Sequence, residues 1–163
     1  MKRRSFFLII FAVGCVIGTS TLIPSLAPAE PDKIKAAMAA LKAKTEKLGA
    51  PKVEGKDLYF GKTKADNSVV DAIAKEHGGA ATVFVKAGNG YVRVATTLKK
   101  EDGSSAVGTV LDATSPAVAK ISGGEAYYGD ATILGKPYVT GYDPIRDASG
   151  SVIGIYYVGY LKG

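Results

Sequence analysis

The sequence predicts a single α+β domain with an antiparallel sheet packed against a long helix. Three observations support this class. Two strand-like runs, residues 81–85 and 91–98, flank Gly88-Asn89-Gly90, which is typical of a hairpin turn. The last third of the chain contains three further strand-like runs, separated by tight turns near Leu134-Gly135 and at residues 147–150. Near the N-terminus, apolar residues recur at helical spacing.

Length and charge exclude some classes of protein. The 163 residues suffice for one domain with a real core and are too few for two ordinary ones. The formal net charge is +6, but Lys2, Arg3 and Arg4 supply half of it. The remaining excess is scattered and no basic cluster is interleaved with aromatic residues, so nucleic-acid binding is not predicted.

The first 29 residues have the pattern of a secretory signal peptide. A basic start precedes an apolar run over residues 6–17 and a small-residue site at Ala27-Pro28-Ala29. We therefore expect export to the periplasm or medium, cleavage after Ala29 and a mature domain of residues 30–163. Two alternatives stay open: lipidation at Cys15 and an uncleaved N-terminal anchor. A chain cleaved after Ala29 would contain no cysteine.

A helix is predicted between Pro31 and Gly49. It would carry one narrow stripe at spacings of four and three residues: Ile34, Met38, Leu41, Thr45 and Leu48. Packing of the stripe on the back of the sheet accounts for it. A homodimer through the same helix is the alternative, because a narrow seam is compatible with coiling.

The segments between this helix and the sheet are less regular. Residues 51–61 are predicted to be a polar connection ending in an aromatic plug, Leu58-Tyr59-Phe60. Asp66-Asn67 would cap a short helix that Gly78-Gly79 ends. Residues 99–124, the covering segment, form a longer excursion in which Ser115-Pro116 begins a helix and Gly123-Gly124 ends it.

Neither catalysis nor a cofactor is predicted. The sequence has no nucleophile elbow, no zinc-protease motif and no phosphate-binding loop before a helix. His77 is the only histidine, and no cysteine or acidic pair at ligand spacing lies near it. A favourable position at the end of its helix explains His77 better than metal binding does.

Arg93 is the first candidate for a binding residue. It lies in the middle of the otherwise apolar strand 91–96, where a charged group needs water or a counterion. Two interpretations follow from the residues alone. Arg93 either faces solvent and pairs with a surface carboxylate, or it binds the carboxylate of a small organic acid through its planar fork.

Hydroxyl groups on the neighbouring strands are the other candidates. Tyr138, Thr140 and Tyr142 alternate along one strand and therefore share a face of the sheet. Such hydroxyls can orient a small polar ligand, although satisfied core tyrosines are an equal alternative. Further candidates come from adjacent runs: Tyr127 or Tyr128, and Thr96 or Thr97. Tyr156 and Tyr157 point to opposite faces, so at most one of them would line a pocket.

Seven motifs in the chain resemble the single Cache domain of type 3, the Cache 3/Cache 2 fusion. In chain order they are Gly78-Gly-Ala-Ala-Thr-Val-Phe84, Val92-Arg-Val-Ala-Thr96, Ala106-Val-Gly-Thr-Val-Leu-Asp112, Gly124-Glu-Ala-Tyr-Tyr-Gly129, Ile133-Leu-Gly-Lys-Pro-Tyr138, Gly141-Tyr-Asp-Pro-Ile-Arg-Asp147 and Gly150-Ser-Val-Ile-Gly-Ile-Tyr-Tyr-Val-Gly159. The resemblance spans about residues 41–160. Two positions depart from the family pattern, Ser105 in place of a basic residue and Thr97 in place of a frequent Asn.

The resemblance implies a PAS-like fold with a five-stranded antiparallel sheet and short helices on one face. It also implies an extracytoplasmic sensor that binds a small molecule and is not an enzyme, with short acids such as acetate, propionate or pyruvate as the leading ligand class. Family receptors signal through a chemoreceptor or sensor kinase. Because this sequence ends at Gly163, we expect a stand-alone sensor that would need such a membrane partner. The alternative is a periplasmic interaction or structural accessory with a vestigial pocket.

Overall fold

The computed structural model describes residues 30–163, so the expected signal peptide and Cys15 lie outside the described residues. The helices are α1 (Glu30–Glu46), α2 (Asn67–His77) and α3 (Pro116–Ser122). The strands are β1 (Pro51–Glu54), β2 (Asp57–Phe60), β3 (Thr63–Lys64), β4 (Ala80–Ala87), β5 (Gly90–Thr96), β6 (Tyr127–Ile133), β7 (Lys136–Arg146) and β8 (Val152–Leu161). None of these three helices has the length and apolar character needed to cross a membrane.

The predicted α+β class is confirmed by a five-stranded antiparallel sheet in the order β5-β4-β8-β7-β6. Its hairpins turn where the sequence predicts. Leu134 and Gly135 both have positive φ, 48° and 78°, which matches the tight turn between β6 and β7. The side chain of Asp147 accepts hydrogen bonds from the Ser149 and Ser151 amides and thereby fixes the turn between β7 and β8.

The back face of the sheet is covered by α1 and α2. Ile34, Met38 and Leu41 are buried there, as the helical stripe predicts, and Thr45 is buried with them. The stripe ends earlier than predicted, because α1 stops at Glu46 and Leu48 is 37% exposed. The predicted second helix is also present as α2, and its N-cap Asp66 accepts a 2.9 Å hydrogen bond from the Ser68 amide.

The prediction of a polar connection over residues 51–61 is wrong. This part of the chain forms β1 and β2 of a small antiparallel sheet, which β3 completes. Most of β1 is exposed, so its side chains give no apolar alternation from which a strand could be recognised. The expected plug is present in part: Leu58 and Phe60 are buried, and the Phe60 ring stacks on Tyr156 with centroids 6.1 Å apart.

Residues 99–124, the covering segment, pack over the front face of the sheet. Leu111, Ala117 and Ile121 of this segment join the front core together with sheet residues such as Phe84 and Tyr142. Part of the segment also extends the sheet beyond β5. The Arg93 amide donates to the Thr109 carbonyl at 2.9 Å, and the Gly108 amide donates to the Arg93 carbonyl at 2.8 Å. The segment is therefore fixed to the strand that carries the candidate arginine.

Candidate ligand-binding site

One row of hydroxyl-bearing residues crosses the front face of all five strands. Their Cα atoms pair from strand to strand, so the side chains stand side by side on one face. We call these residues the hydroxyl row: Thr96, Thr82, Tyr157, Tyr142 and Tyr127. The Tyr142 and Tyr157 rings are 5.0 Å apart, and the Tyr127 and Tyr142 rings are 6.1 Å apart. Three predicted site residues, Thr96, Tyr127 and Tyr142, are therefore brought together.

A β-bulge places Arg93 on the same face as this row. Arg93 pairs with Phe84 and Ala95 pairs with Val83, which leaves Val94 as the extra residue. Without the bulge, Arg93 and Thr96 would point to opposite faces because they are an odd number of residues apart. With the bulge, Arg93 faces the front of the sheet and pairs with Phe84, two positions along β4 from Thr82 of the hydroxyl row. Its guanidinium lies over the Phe84 ring, 4.9 Å from the ring centroid.

Arg93 is buried, with only 4% of its surface exposed. Its Nη1 donates to the Thr109 hydroxyl at 2.7 Å and to the Val110 carbonyl at 3.3 Å, while its Nε has no partner among the described residues. None of the ion pairs formed by residues 30–163 includes Arg93. Burial lowers the pKa of Arg93, yet an arginine stays protonated at neutral pH. The site therefore holds a buried positive charge with an unused donor.

Three hydroxyls of the front core also lack a partner within the described part of the chain. They belong to Tyr142, Tyr157 and Ser115. Burial raises the pKa of Tyr142 and of Tyr157 well above the ordinary range, so both phenols keep their protons at physiological pH. The Ser115 hydroxyl is near enough to Tyr142 to oppose that rise, although no hydrogen bond of good geometry joins the two oxygens. Their hydroxyl protons are therefore available to a ligand, and Tyr142 and Tyr157 lie close enough to Arg93 to influence its pKa.

Two other candidates make their hydrogen bonds within the sheet. The Tyr127 hydroxyl donates to the Asp130 carbonyl at 2.8 Å, so Tyr127 offers the site its ring. The Thr140 hydroxyl donates to the Gly129 carbonyl on the next strand at 2.7 Å. Thr140 is buried on the front face but has no free proton to donate.

Thr97 and Tyr138 lie apart from Arg93. Both line a surface cavity of about 390 Å³ at the end of the sheet, beyond the hydroxyl row. The Thr97 hydroxyl accepts from the Ala81 amide at 3.1 Å and so continues the pairing between β4 and β5. Tyr138 is half-buried between this cavity and the front core.

The structure adds Tyr157, Ser115 and Thr82 to the candidate site, and sequence reasoning did not select them. Alternation along β8 shows that only one of two adjacent tyrosines faces the front, but it does not show which one. Ser115 and Thr109 belong to the covering segment, whose course over the sheet leaves no periodic signal. The Thr82 hydroxyl is recognisable only from the strand register, which places it 2.6 Å from that of Thr96.

Metal binding has no support within residues 30–163. No group of three or more His, Cys, Asp or Glu side chains is arranged there to hold an ion. His77 ends α2, and its carbonyl accepts a 2.9 Å hydrogen bond from the Tyr160 hydroxyl.

The family model for the Cache 3/Cache 2 fusion domain matches residues 31–162. The chain therefore belongs to the Cache 3/Cache 2 fusion family, and the resemblance drawn from its motifs is confirmed. Cache domains are extracellular, non-catalytic sensory domains that bind ligands. A search among curated proteins gave no match to this chain.

Proposed function

We propose that this Cache domain is an extracytoplasmic sensor that recognises a small organic acid through Arg93. The observation that carries the proposal is a buried guanidinium that, within residues 30–163, has no carboxylate partner and lies near three hydroxyls without a hydrogen-bond partner. Burial of an unpaired charge or donor is unfavourable, whereas a ligand carboxylate would satisfy several of these groups at once.

The arrangement of donors favours a carboxylate over a neutral ligand. Both side-chain hydrogen bonds of Arg93 use Nη1, so the edge formed by Nε and Nη2 is left for a two-point contact. Protonated Tyr142 would donate to the same carboxylate or to a second oxygen of the ligand. A keto or hydroxy group beside the carboxylate would use that second oxygen.

The close enclosure of Arg93 favours short acids such as acetate, propionate and pyruvate. Arg93 is enclosed by Phe84 below and by Thr109 and Val110 of the covering segment beside it. Water is largely excluded there, which strengthens a charge-assisted hydrogen bond. A bulky ligand would have to displace the covering segment from β5.

A thermal-shift screen of residues 30–163 tests this function. Acetate, propionate, pyruvate and single amino acids are each added in excess, and a ligand that binds only the folded form raises the apparent melting temperature. We expect a short organic acid to give the largest shift and Arg93→Ala to abolish it. A shift of equal size in the Arg93→Ala protein would place the site elsewhere.

A structural or interaction role for Arg93 and the nearby hydroxyls is the second candidate function. One observation favours it: Nη1 of Arg93 already binds the covering segment, so the residue also has a role in the fold. The absence of any shift across the screen would support this role.

The proposal also includes export from the cytoplasm and signalling through a membrane chemoreceptor or sensor kinase. Co-purification of the tagged protein with a membrane receptor or kinase tests the partner.

A further inference from the structure

The cavity beyond the hydroxyl row combines an apolar floor with a charged rim. Its volume is about 390 Å³, which lies in the range of small-molecule sites. Leu98 and Ile133 of its floor also belong to the front core. Its charged lining residues are Lys99, Lys100, Lys136 and Glu101.

The rim is net positive and suited to attracting anions. None of its three lysines takes part in an ion pair with another described residue, and all three are exposed. Exposed lysines are flexible and hydrated, so each contributes little to the affinity for a bound anion. A cluster of like charges nevertheless raises the local anion concentration and the rate of association. The lysine rim is therefore better suited to speeding the association of an anion than to holding the anion once it is bound.

Strand geometry places this cavity directly beside the hydroxyl row. Ala80 lines the cavity and is two residues from Thr82 of the row, a separation of about 7 Å along β4. Leu98, also in the lining, donates its amide to the Thr96 hydroxyl at 3.1 Å. Arg93, which pairs with Phe84, lies on the opposite side of the hydroxyl row from the cavity.

The phenol of Tyr157 projects from the row towards the cavity. A side chain added at Gly159 would collide with the Tyr157 hydroxyl, so that hydroxyl lies over the Gly159 backbone. Gly159 pairs with Ala80, which lines the cavity. Tyr138 also lines the cavity and packs against the front core. The Tyr157 hydroxyl, which has no partner in the described part of the chain, thus extends from the hydroxyl row to the cavity side.

We propose that this cavity is the entrance to the buried site and that the Tyr138 ring is its gate. An organic anion is first concentrated at the lysine rim, then passes Tyr138 and Tyr157, and finally binds Arg93. The inference rests on the proposed function, since it assumes that the final site takes a carboxylate.

Association and dissociation rates test the role of the rim. The probe is whichever of sodium acetate, propionate or pyruvate gives the largest thermal shift, and tyrosine fluorescence in a stopped-flow instrument is the signal because the chain has no tryptophan. Lys99→Glu/Lys136→Glu should lower the association rate constant about tenfold at low salt and leave the dissociation rate constant within about twofold. The difference should disappear near 1 M NaCl, where screening is nearly complete.

Lys56→Glu/Lys62→Glu is the matched control. It makes the same change in net charge at two exposed lysines outside the cavity lining. We expect association to slow by less than about twofold in this variant. An equal slowing in both double variants would mean that net charge alone controls the rate, and the entrance would be rejected.

Two substitutions at Tyr138 test the gate. Tyr138→Ala should raise both rate constants by a similar factor, about threefold or more, because a gate changes the barrier and not the affinity. Tyr138→Phe keeps the ring and should leave both rates near those of the parent.

The outcomes separate this inference from the proposed function. Binding by the parent with an unchanged association rate in Lys99→Glu/Lys136→Glu rejects the entrance alone. A changed dissociation rate with unchanged association makes the cavity a retention site and rejects it as well. If none of the three acids binds the parent, the proposed function fails and the entrance fails with it.

Discussion

Tyr156 and Tyr157 are adjacent on β8, but the two faces of the sheet give them different surroundings. On the back face, the Tyr156 hydroxyl shares a 2.8 Å hydrogen bond with the Thr45 hydroxyl of α1. On the front face, the Tyr157 hydroxyl is buried and has no partner in the described part of the chain. Two neighbouring residues of the same type therefore differ in whether the fold itself completes their hydrogen bonding.

The same difference extends over both layers. The buried side-chain polar atoms that lack a partner within residues 30–163 belong to Arg93, Ser115, Tyr142 and Tyr157, all in the front layer. Each such group destabilises a fold by about 1–3 kcal/mol unless water or a ligand completes it. The back layer is thus organised for stability, whereas the front layer retains unsatisfied groups that suit binding.

The largest expected effect is on the back face. Phe60→Ala should lower the free energy of unfolding by about 3–5 kcal/mol, because Phe60 is 2% exposed and stacks on Tyr156. Affinity for the organic acid should stay within about twofold of the parent. Urea unfolding and a calorimetric titration measure the two quantities, with Val53→Ala on the exposed strand β1 as the control. A large loss of affinity would show that the two layers are coupled.

The next largest effect is on the front face. Arg93→Ala should weaken binding by about 2–4 kcal/mol, a loss of about 30-fold to 1000-fold, and leave the domain folded. Arg93→Lys should also bind more weakly, because it keeps the charge but loses the planar fork. Calorimetry on the three proteins measures this order. Equal affinity in parent and Arg93→Ala would remove Arg93 from the site.

Alkaline pH should affect the contributions of Tyr156 and Tyr157 in the same direction. Burial raises the pKa of Tyr156 to about 12 and that of Tyr157 well above the ordinary value of 10.0. Above pH 10 the unfolded chain loses these protons while the folded chain keeps them, so stability falls as pH rises. Each buried tyrosine should contribute a slope of about 1.4 kcal/mol per pH unit in that range.

Phenylalanine variants measured by urea unfolding at pH 9, 10 and 11 isolate these contributions. Tyr156→Phe and Tyr157→Phe should each make the decline shallower by a similar amount, since burial is the first cause of both shifts. A decline as steep as that of the parent in either variant would contradict the assignment for that residue.

The smallest expected effect distinguishes the two tyrosines at neutral pH. Tyr156→Phe should lower stability by about 1 kcal/mol, because it removes the hydrogen bond with Thr45. Tyr157→Phe should instead raise stability by about 1 kcal/mol, because it removes a buried hydroxyl that has no partner among the described residues. Each variant is the control for the other in the same unfolding experiment. Equal losses of stability in the two variants would mean that the Tyr157 hydroxyl has a hydrogen-bond partner in solution.

The hairpins and α2 could be predicted because their signals are local. Turn residues such as Gly88-Asn89 and the cap Asp66 specify their backbone geometry within a few positions. The strands β1 and β2 were missed because they are short and partly exposed, and their pairing depends on each other more than on apolar alternation.

The candidate site was predictable in part for the same reason. Arg93 is conspicuous in sequence because it is a charge in an apolar strand. Its proximity to Thr96 depends on the bulge at Val94, which alternation cannot reveal. Ser115 and Thr109 reach the site only through the tertiary path of the covering segment.

In the proposed site, Arg93 would also link ligand occupancy to the local opening of the covering segment. Its amide and carbonyl pair with Thr109 and Gly108, and its Nη1 holds the Thr109 hydroxyl. A carboxylate bound on the Nε edge would leave those bonds intact. If opening of residues 108–111 releases the ligand, the free energy of that opening rises by RT ln(1 + [L]/Kd). Amide hydrogen exchange at these positions would then slow in proportion to ligand concentration. Exchange at the outer edge of β5 would therefore report whether the site is occupied.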